Sequence, residues 1–238
     1  MARSSSVERI GHRGAPLERK ENTLASFQRA VELGADAVEL DVHVTRDGIP
    51  VVHHDATLGR VTPGTLSKAA LSDLTAAEVG SIQLESGDPI PRLQDVLRIL
   101  TPRTKVYVEI KRGSVPATAR VVEQFRDSIA VHSFDHDAIE ELSRLAPGIV
   151  RGVLIEHRSE DVAAIVRRTG ATDVWPAWKL VDAAFMDTAR SLKTRVIPWT
   201  VNATEDCRRL AALGVSGICT NDLPALERAL ENEKRPVV

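Results

Sequence analysis

Three short apolar stretches carry ionisable residues where a buried strand ordinarily carries none. They are Ile10-Gly11-His12-Arg13-Gly14, Val38-Glu39-Leu40-Asp41-Val42 and Val106-Tyr107-Val108-Glu109-Ile110-Lys111. Glu39 and Asp41 are two residues apart, so on a strand both side chains leave the same face, and Glu109 and Lys111 repeat that spacing. Burying unpaired carboxylates costs several kcal/mol each, and clustering them costs more. A divalent cation is the economical offset. Oxygen ligands without cysteine partners select hard cations, chiefly Mg²⁺ or Ca²⁺ with Mn²⁺ also admitted. Arg13 and Lys111 beside the carboxylates suit an anionic ligand, because arginine offers a fork to phosphate oxygens and lysine a point charge. The pattern reads as a metal-dependent enzyme.

Each residue also has a plainer reading. Glu39 or Asp41 alone fits a strand-end carboxylate paired with a basic neighbour, and Glu109 with Lys111 fits an intra-strand ion pair. A lone His12 would ordinarily be a satisfied core histidine. Of His53 and His54 only one can face inward, and alternation does not say which. His43, His132, His136 and His157 are expected at the surface or beside the site, not in it. Trp175 and Trp178 read as core, while Trp199, at a strand's end, could line a cavity mouth.

The elements that must position these groups alternate from end to end. Strand-like runs fall at 7–14, 37–45, 105–111, 129–134, 149–156, 173–178, 195–201 and 217–220, with helical apolar spacing between them. Eight strands each followed by a helix predict a (β/α)₈ barrel, and most of the polar residues above end strands at what would be its active-site face. An open doubly wound sheet competes, but no G-x-G-x-x-G follows the first strand. One segment, 46–92, breaks the rhythm with an Asp47-Gly48 turn, an extended run at 49–54, Pro63-Gly64 and a helical piece around 71–79. It reads as a small insertion between the second and third barrel strands, within one domain spanning 1–238.

Length of 238 residues, 43% hydrophobic and 27% charged content suit a soluble single barrel. A net charge of −2 offers no global attraction for nucleic acid or an anionic membrane, so an anionic substrate needs local groups. Cys207 and Cys219 match no metal or redox spacing and read as free buried thiols. With no export signal and no apolar run of spanning length, the expected compartment is the cytoplasm, without stable membrane association. Oligomeric state is not legible.

The ordered series His12-Arg13-Gly14-Ala15-Pro16, Glu21-Asn22-Thr23, Val38-Glu39-Leu40-Asp41-Val42-His43, Asp47-Gly48, Val51-Val52-His53-His54-Asp55 and Arg60-x-Thr62-x-Gly64 resembles the glycerophosphodiester phosphodiesterase family. The match continues through Pro91-x-Leu93-x-Asp95, Val108-Glu109-Ile110-Lys111, Ser133-Phe134-Asp135 and Trp199-Thr200-Val201-Asn202. The resemblance implies a (β/α)₈ barrel that hydrolyses glycerophosphodiesters to sn-glycerol 3-phosphate and an alcohol. It makes Glu39, Asp41 and Glu109 the metal ligands and His12 and His54 the acid–base pair. Arg13 and Lys111 then contact phosphate, Trp199 lines the substrate site, and 46–92 is a capping region. Thr220-Asn221-Asp222-Leu223-Pro224 departs from the commoner threonine-aspartate-x-proline. Competing readings are a lysophospholipase D-like phosphodiesterase, a phosphodiester-binding barrel without turnover, and, more weakly, a sugar-phosphate isomerase.

Overall fold

The computed structural model describes residues 7–59 and 68–231. The expected Pro63-Gly64 turn and the motif residues Arg60, Thr62 and Gly64 lie outside the described residues, as do the two chain ends. Among the described residues nine strands are formed: β1 (Glu8–Gly11), β2 (Ala37–Val44), β3 (Pro50–Val52), β4 (Lys105–Ile110), β5 (Ile129–Ser133), β6 (Val150–Ile155), β7 (Asp173–Pro176), β8 (Arg195–Val196) and β9 (Gly217–Thr220). All but β3 run parallel in the order β8-β7-β6-β5-β4-β2-β1-β9. The round is closed between its ends by Ser216 N–H to Val196 O (2.8 Å), Cys219 N–H to Pro198 O (3.0 Å) and Val201 N–H to Cys219 O (2.9 Å). This is the expected (β/α)₈ barrel.

The helices are α1 (Leu24–Glu32), α2 (Ala76–Gly80), α3 (Leu93–Leu100), α4 (Val115–Val122), α5 (His136–Leu145), α6 (Val162–Thr169), α7 (Ala183–Ser191), α8 (Thr204–Ala212) and α9 (Leu223–Glu231). Several of their starts are capped by side chains. The side chains of Thr23, Asp135, Asp161 and Asp182 accept from the N–H groups of Ser26, Ala138, Ala164 and Phe185. Outward-facing Val38, Leu40, Val42, Val106, Val108, Ile110 and Val131 pack against Phe27, Leu97, Leu142 and Val166 of the helices. Each fully buried side chain of that size contributes about 1.5–3 kcal/mol.

Most barrel strands end a residue or two short of the expected spans, and two are cut to half or less. β1 stops at Gly11 because Arg13 takes a left-handed φ of 55° and Gly14 one of 92°. A β-carbon on Gly14 would sit 2.4 Å from Ser26 Oγ, so only glycine lets the chain turn this tightly against α1. β8 is cut to two residues ahead of Pro198, which has no N–H to give the ladder.

The barrel interior is layered. Ile10, Ala37, Tyr107, Ala130, Leu154, Trp175, Ile197 and Cys219 fill its middle. At the amino-terminal end, Glu8, Lys105, Asp173 and Arg195 pair around the Tyr107 hydroxyl, which donates to Glu8 Oε2 at 2.8 Å and accepts from Lys105 Nζ at 2.8 Å. That ring of charge is balanced by its own members.

Between the second and third barrel strands, β3 folds back on β2, with Val42 opposite Val52 and His43 opposite Val51. The Asp47-Gly48 turn makes this hairpin, Gly48 adopting φ 79°. Val51, Leu58, Leu71, Val79, Ile82, Leu84 and Ile90 form a small core of their own. The hairpin carries the chain from β2 back toward the carboxyl-terminal mouth of the barrel. Cys207 and Cys219 are free and buried.

Candidate active site at the carboxyl-terminal mouth

Alternation along β2 turns both Glu39 and Asp41 inward, where they are 2% and 1% exposed. Asp41 lies level with Glu109 of β4, and Glu109 level with His132 of β5. Three neighbouring strands thus supply one polar layer directly above the apolar middle of the barrel.

Asp41 is heavily compensated. Lys111 Nζ lies 2.7 Å from its Oδ1, Arg13 Nε lies 3.2 Å from its Oδ2, and Asn22 Nδ2 donates to Oδ2 at 2.9 Å. Burial works to raise its pKa, but Lys111, Arg13 and His54 outweigh it and hold the carboxyl well below the ordinary range. Arg13 is itself fixed. Its backbone N–H donates to Glu39 Oε2 (3.0 Å), its guanidinium to Glu21 (3.1 Å), and its carbonyl accepts from Asn22 N–H (3.1 Å) and Ser26 Oγ (3.0 Å). Those bonds sustain a left-handed backbone at Arg13 that by itself costs about 1–3 kcal/mol.

Glu39 and Glu109 are under-compensated. Burial, then repulsion from Asp41 and Glu109, pushes Glu39 far above the ordinary carboxyl range. Burial and Asp41 likewise push Glu109 up to about 7, although Lys111 pairs with it. Ligand atoms of Glu39, Glu109 and His132 all lie within 4.8 Å of one another, and the group could hold a metal ion. A cation there would supply the positive charge these two carboxyls lack, so the donor set fits a hard divalent metal.

His132 was expected at the surface or beside the site, and it is instead 2% exposed in the barrel interior. Its ring stacks on Trp175 at 4.2 Å, and its Nε2 is 3.8 Å from Glu39 Oε1. Burial and Lys111 hold its pKa down at about 3, so it is a neutral imidazole. The available signal was parity: Ala130 and His132 share the inward face of β5, as Glu39 and Asp41 share that of β2.

His12 follows β1 at the same rim. Its Nδ1 is 2.7 Å from Asn221 Oδ1 and its N–H donates to Thr220 O at 2.9 Å. Burial and the Arg13 charge lower its pKa to about 4. In the β3 hairpin, His53 is buried, its N–H donating to Asp41 O at 3.0 Å. His54 comes out on the other side, with Nδ1 2.7 Å from Asp55 Oδ1. His12, Arg13, Glu39, His54, Glu109 and His132 line one cavity of about 110 Å³, walled by Phe134 and Trp199. Those two rings meet edge to face at 5.3 Å, and Trp199 Nε1 donates to Trp175 O at 2.9 Å. A larger groove of about 270 Å³ beside α6 and α7, lined by Ile155, Arg158 and Phe185, holds none of the clustered groups.

Residues 12–225 match the model of the glycerophosphoryl diester phosphodiesterase family. The chain belongs to that family. A glycerophosphodiester phosphodiesterase of Caldanaerobacter subterraneus is 30% identical over 90% of this chain and 93% of its own length. The crystal structure of a glycerophosphodiester phosphodiesterase from Thermotoga maritima is 25% identical, with a TM-score of 0.80 over 93% of this chain and 97% of that one. An Oleispira antarctica phosphodiesterase, solved in complex with the product sn-glycerol-3-phosphate, shares the fold with a TM-score of 0.87 at 22% identity. It covers 94% of this chain and 96% of its own.

This phosphodiesterase brings Glu39, Glu109, Arg13, His12, His54 and Trp199 to one mouth. Asp41 and Lys111 sit at its edge, locked to each other. Three further contributors were not assigned from sequence: His132, Asn22, which clamps Asp41 from a left-handed φ of 59°, and Asn221. Asn22 was visible only as part of a motif. His43 and His136 bond the carbonyls of His54 and Leu154, and His157 is exposed. Among the described residues no helix is long and apolar enough to cross a membrane.

Proposed function

We propose that this site hydrolyses glycerophosphodiesters to sn-glycerol 3-phosphate and an alcohol, by acid–base catalysis from His12 and His54 beside a carboxylate-held divalent cation. The observation that carries the reading is the convergence of two histidines, one arginine and two under-compensated carboxyls on a single cavity. Glu39 and Glu109 would hold the ion, Mg²⁺ or Ca²⁺ with Mn²⁺ also admitted, His132 stands within reach as a nitrogen donor, and Asp41, the third expected ligand, would join them only by giving up part of its pairing with Lys111. Bound there, a divalent cation supplies Lewis-acid stabilisation of charge on the phosphoryl oxygens.

The remaining chemistry falls to the chain. Arg13 lines the cavity and would offer its guanidinium to phosphate, and Lys111 adds positive field beside it. One imidazole takes a proton from the attacking hydroxyl and the other delivers a proton to the departing alcohol oxygen. Trp199 and Phe134 wall the cavity on its apolar side and exclude water from that flank. The segment 46–92 delivers His54 and caps the mouth within the same domain. The product carried by the Oleispira antarctica structure is the one expected here.

A long acyl chain needs an apolar rim. Of the exposed large apolar side chains among the described residues, Phe134 lines the cavity. That gives little support to lysophospholipid cleavage. The test is metal-stripped enzyme assayed on a panel of glycerophosphodiesters and one lysophospholipid, with Mg²⁺, Ca²⁺ or Mn²⁺ titrated back. Metal-dependent release of glycerol 3-phosphate is expected. Turnover insensitive to EDTA removes the cation from the reading, and no turnover with any diester removes the reading itself.

A further inference from the structure

Both candidate acid–base histidines are held through the same ring atom, by partners of different charge. His12 Nδ1 lies 2.7 Å from an amide oxygen, Asn221 Oδ1, and His54 Nδ1 lies 2.7 Å from a carboxylate oxygen, Asp55 Oδ1. Asn221 lies directly after β9. It is anchored from behind, its N–H donating to Asn202 Oδ1 at 2.9 Å, and the Thr220 hydroxyl reaches the same oxygen at 3.4 Å. The neighbouring Thr220 carbonyl accepts the His12 N–H at 2.9 Å, so the ends of β9 and β1 are tied at two points. The backbone of residue 221 is therefore held independently of the ring that its side-chain oxygen touches.

An amide oxygen has no hydrogen to give, so the ring supplies it. His12 then carries its proton on Nδ1 and its lone pair on Nε2. We propose that Asn221 is a positioning residue that holds His12 in the Nδ1–H form, making His12 the proton acceptor of the reaction and leaving proton donation to His54 on Asp55. This rests on the acid–base reading of the preceding subsection. The attacking hydroxyl gives its proton to His12 Nε2 as its oxygen bonds to phosphorus. The bond from phosphorus to the leaving oxygen breaks with its electron pair, and that oxygen takes the proton from His54 Nε2. His12 ends protonated and His54 neutral, and exchange with water resets both. A neutral partner suits a ring that accepts a proton, and a carboxylate partner stabilises the positive charge of a ring that gives one.

The test combines a spectroscopic readout with kinetics on the metal-loaded enzyme. Nitrogen-15 NMR of the histidine rings in the unsubstituted protein is expected to show His12 protonated on Nδ1. In Asn221→Leu the tautomer preference is lost and kcat falls about ten- to hundredfold with KM little changed, as for other lost orienting bonds to a working histidine. Asn221→Asp, which keeps an acceptor oxygen in place, restores the Nδ1–H form, while its added charge raises the His12 pKa and moves the acidic limb of the kcat–pH profile to higher pH. A His12 signal protonated on Nε2 in the unsubstituted enzyme overturns the proposal, whatever the variants do. So does an unchanged kcat in a folded Asn221→Leu enzyme. His12→Ala separates the two levels: if it turns over normally, the acid–base reading fails. If it is impaired while Asn221→Leu is not, only the positioning role fails.

Discussion

Lys111 Nζ sits 2.7 Å from Asp41 Oδ1 and also pairs with Glu109, so one ammonium bridges carboxylates from adjacent barrel strands. Because Asp41 and Glu109 are level in the β2–β4 register, the bridge spans the shortest gap between the strands. Lys111 settles Asp41 but leaves Glu39 and Glu109 short of positive charge, and a bound cation would complete that balance.

Lys111→Met should expose this dependence. It removes the counter-charge from two buried carboxyls, which typically costs roughly 3–5 kcal/mol. Urea unfolding of the metal-free protein should show a loss of that order, and added Mg²⁺ should recover part of it. An unchanged midpoint would mean the ammonium contributes nothing to holding the pair.

Metal affinity should rise with pH. Burial and Asp41 hold the Glu109 pKa up to about 7, and Glu39 is also raised. An acid raised in the fold is favoured in its neutral form, so its share of native stability is lost as pH climbs from its ordinary value through the raised one. A cation needs the ionised form and must displace that proton, at about tenfold in affinity per pH unit below the raised value. Calorimetric titration near pH 6 and near pH 8, in buffers of differing ionisation enthalpy, should show tighter binding and less proton release at the higher pH. Affinity flat across that range would contradict the assignment.

His12→Ala and His54→Ala should each lower kcat by at least about 10²-fold, the usual cost of losing a general acid or base. Metal binding by either variant should persist. Near-normal turnover in either one removes that histidine from the chemistry.

His132→Phe keeps a ring to stack on Trp175 and removes the nitrogen beside Glu39. If that nitrogen reaches the ion, Mn²⁺ affinity should fall by more than Ca²⁺ affinity, since imidazole suits the softer of the two. Equal affinities before and after substitution would make His132 a packing residue.

Gly14→Ala should destabilise by about 2 kcal/mol or more, because it combines a φ of 92° with a β-carbon 2.4 Å from Ser26 Oγ. Since the same turn places His12 and Arg13, activity should fall with stability. A variant as stable as the parent would show that the turn can relax.

Glu39 and Asp41 were legible as a same-face pair because a strand alternates every residue, and that period is local. The eight-strand rhythm was legible for the same reason, down to the Asp47-Gly48 hairpin. Strand ends were less so. Arg13 leaves β1 through a left-handed backbone that is sustained by Glu39, Asn22 and Ser26, none of them a chain neighbour. His132 was misplaced because its parity was not carried across from Glu109, its partner on the next strand.

The linear order of residues by itself determined the alternating barrel, the family, and which acidic and basic side chains share the inward face. Strand alternation left His53 and His54 open and the family resemblance chose His54, whereas only the tertiary structure decided that His132 joins Glu39 and Glu109 and that Asn221 meets His12 from 209 residues away. The physical reason is range. Side-chain direction follows from neighbouring φ and ψ, whereas hydrogen-bond partners and protonation depend on charge and burial summed over strands that meet only when the barrel closes.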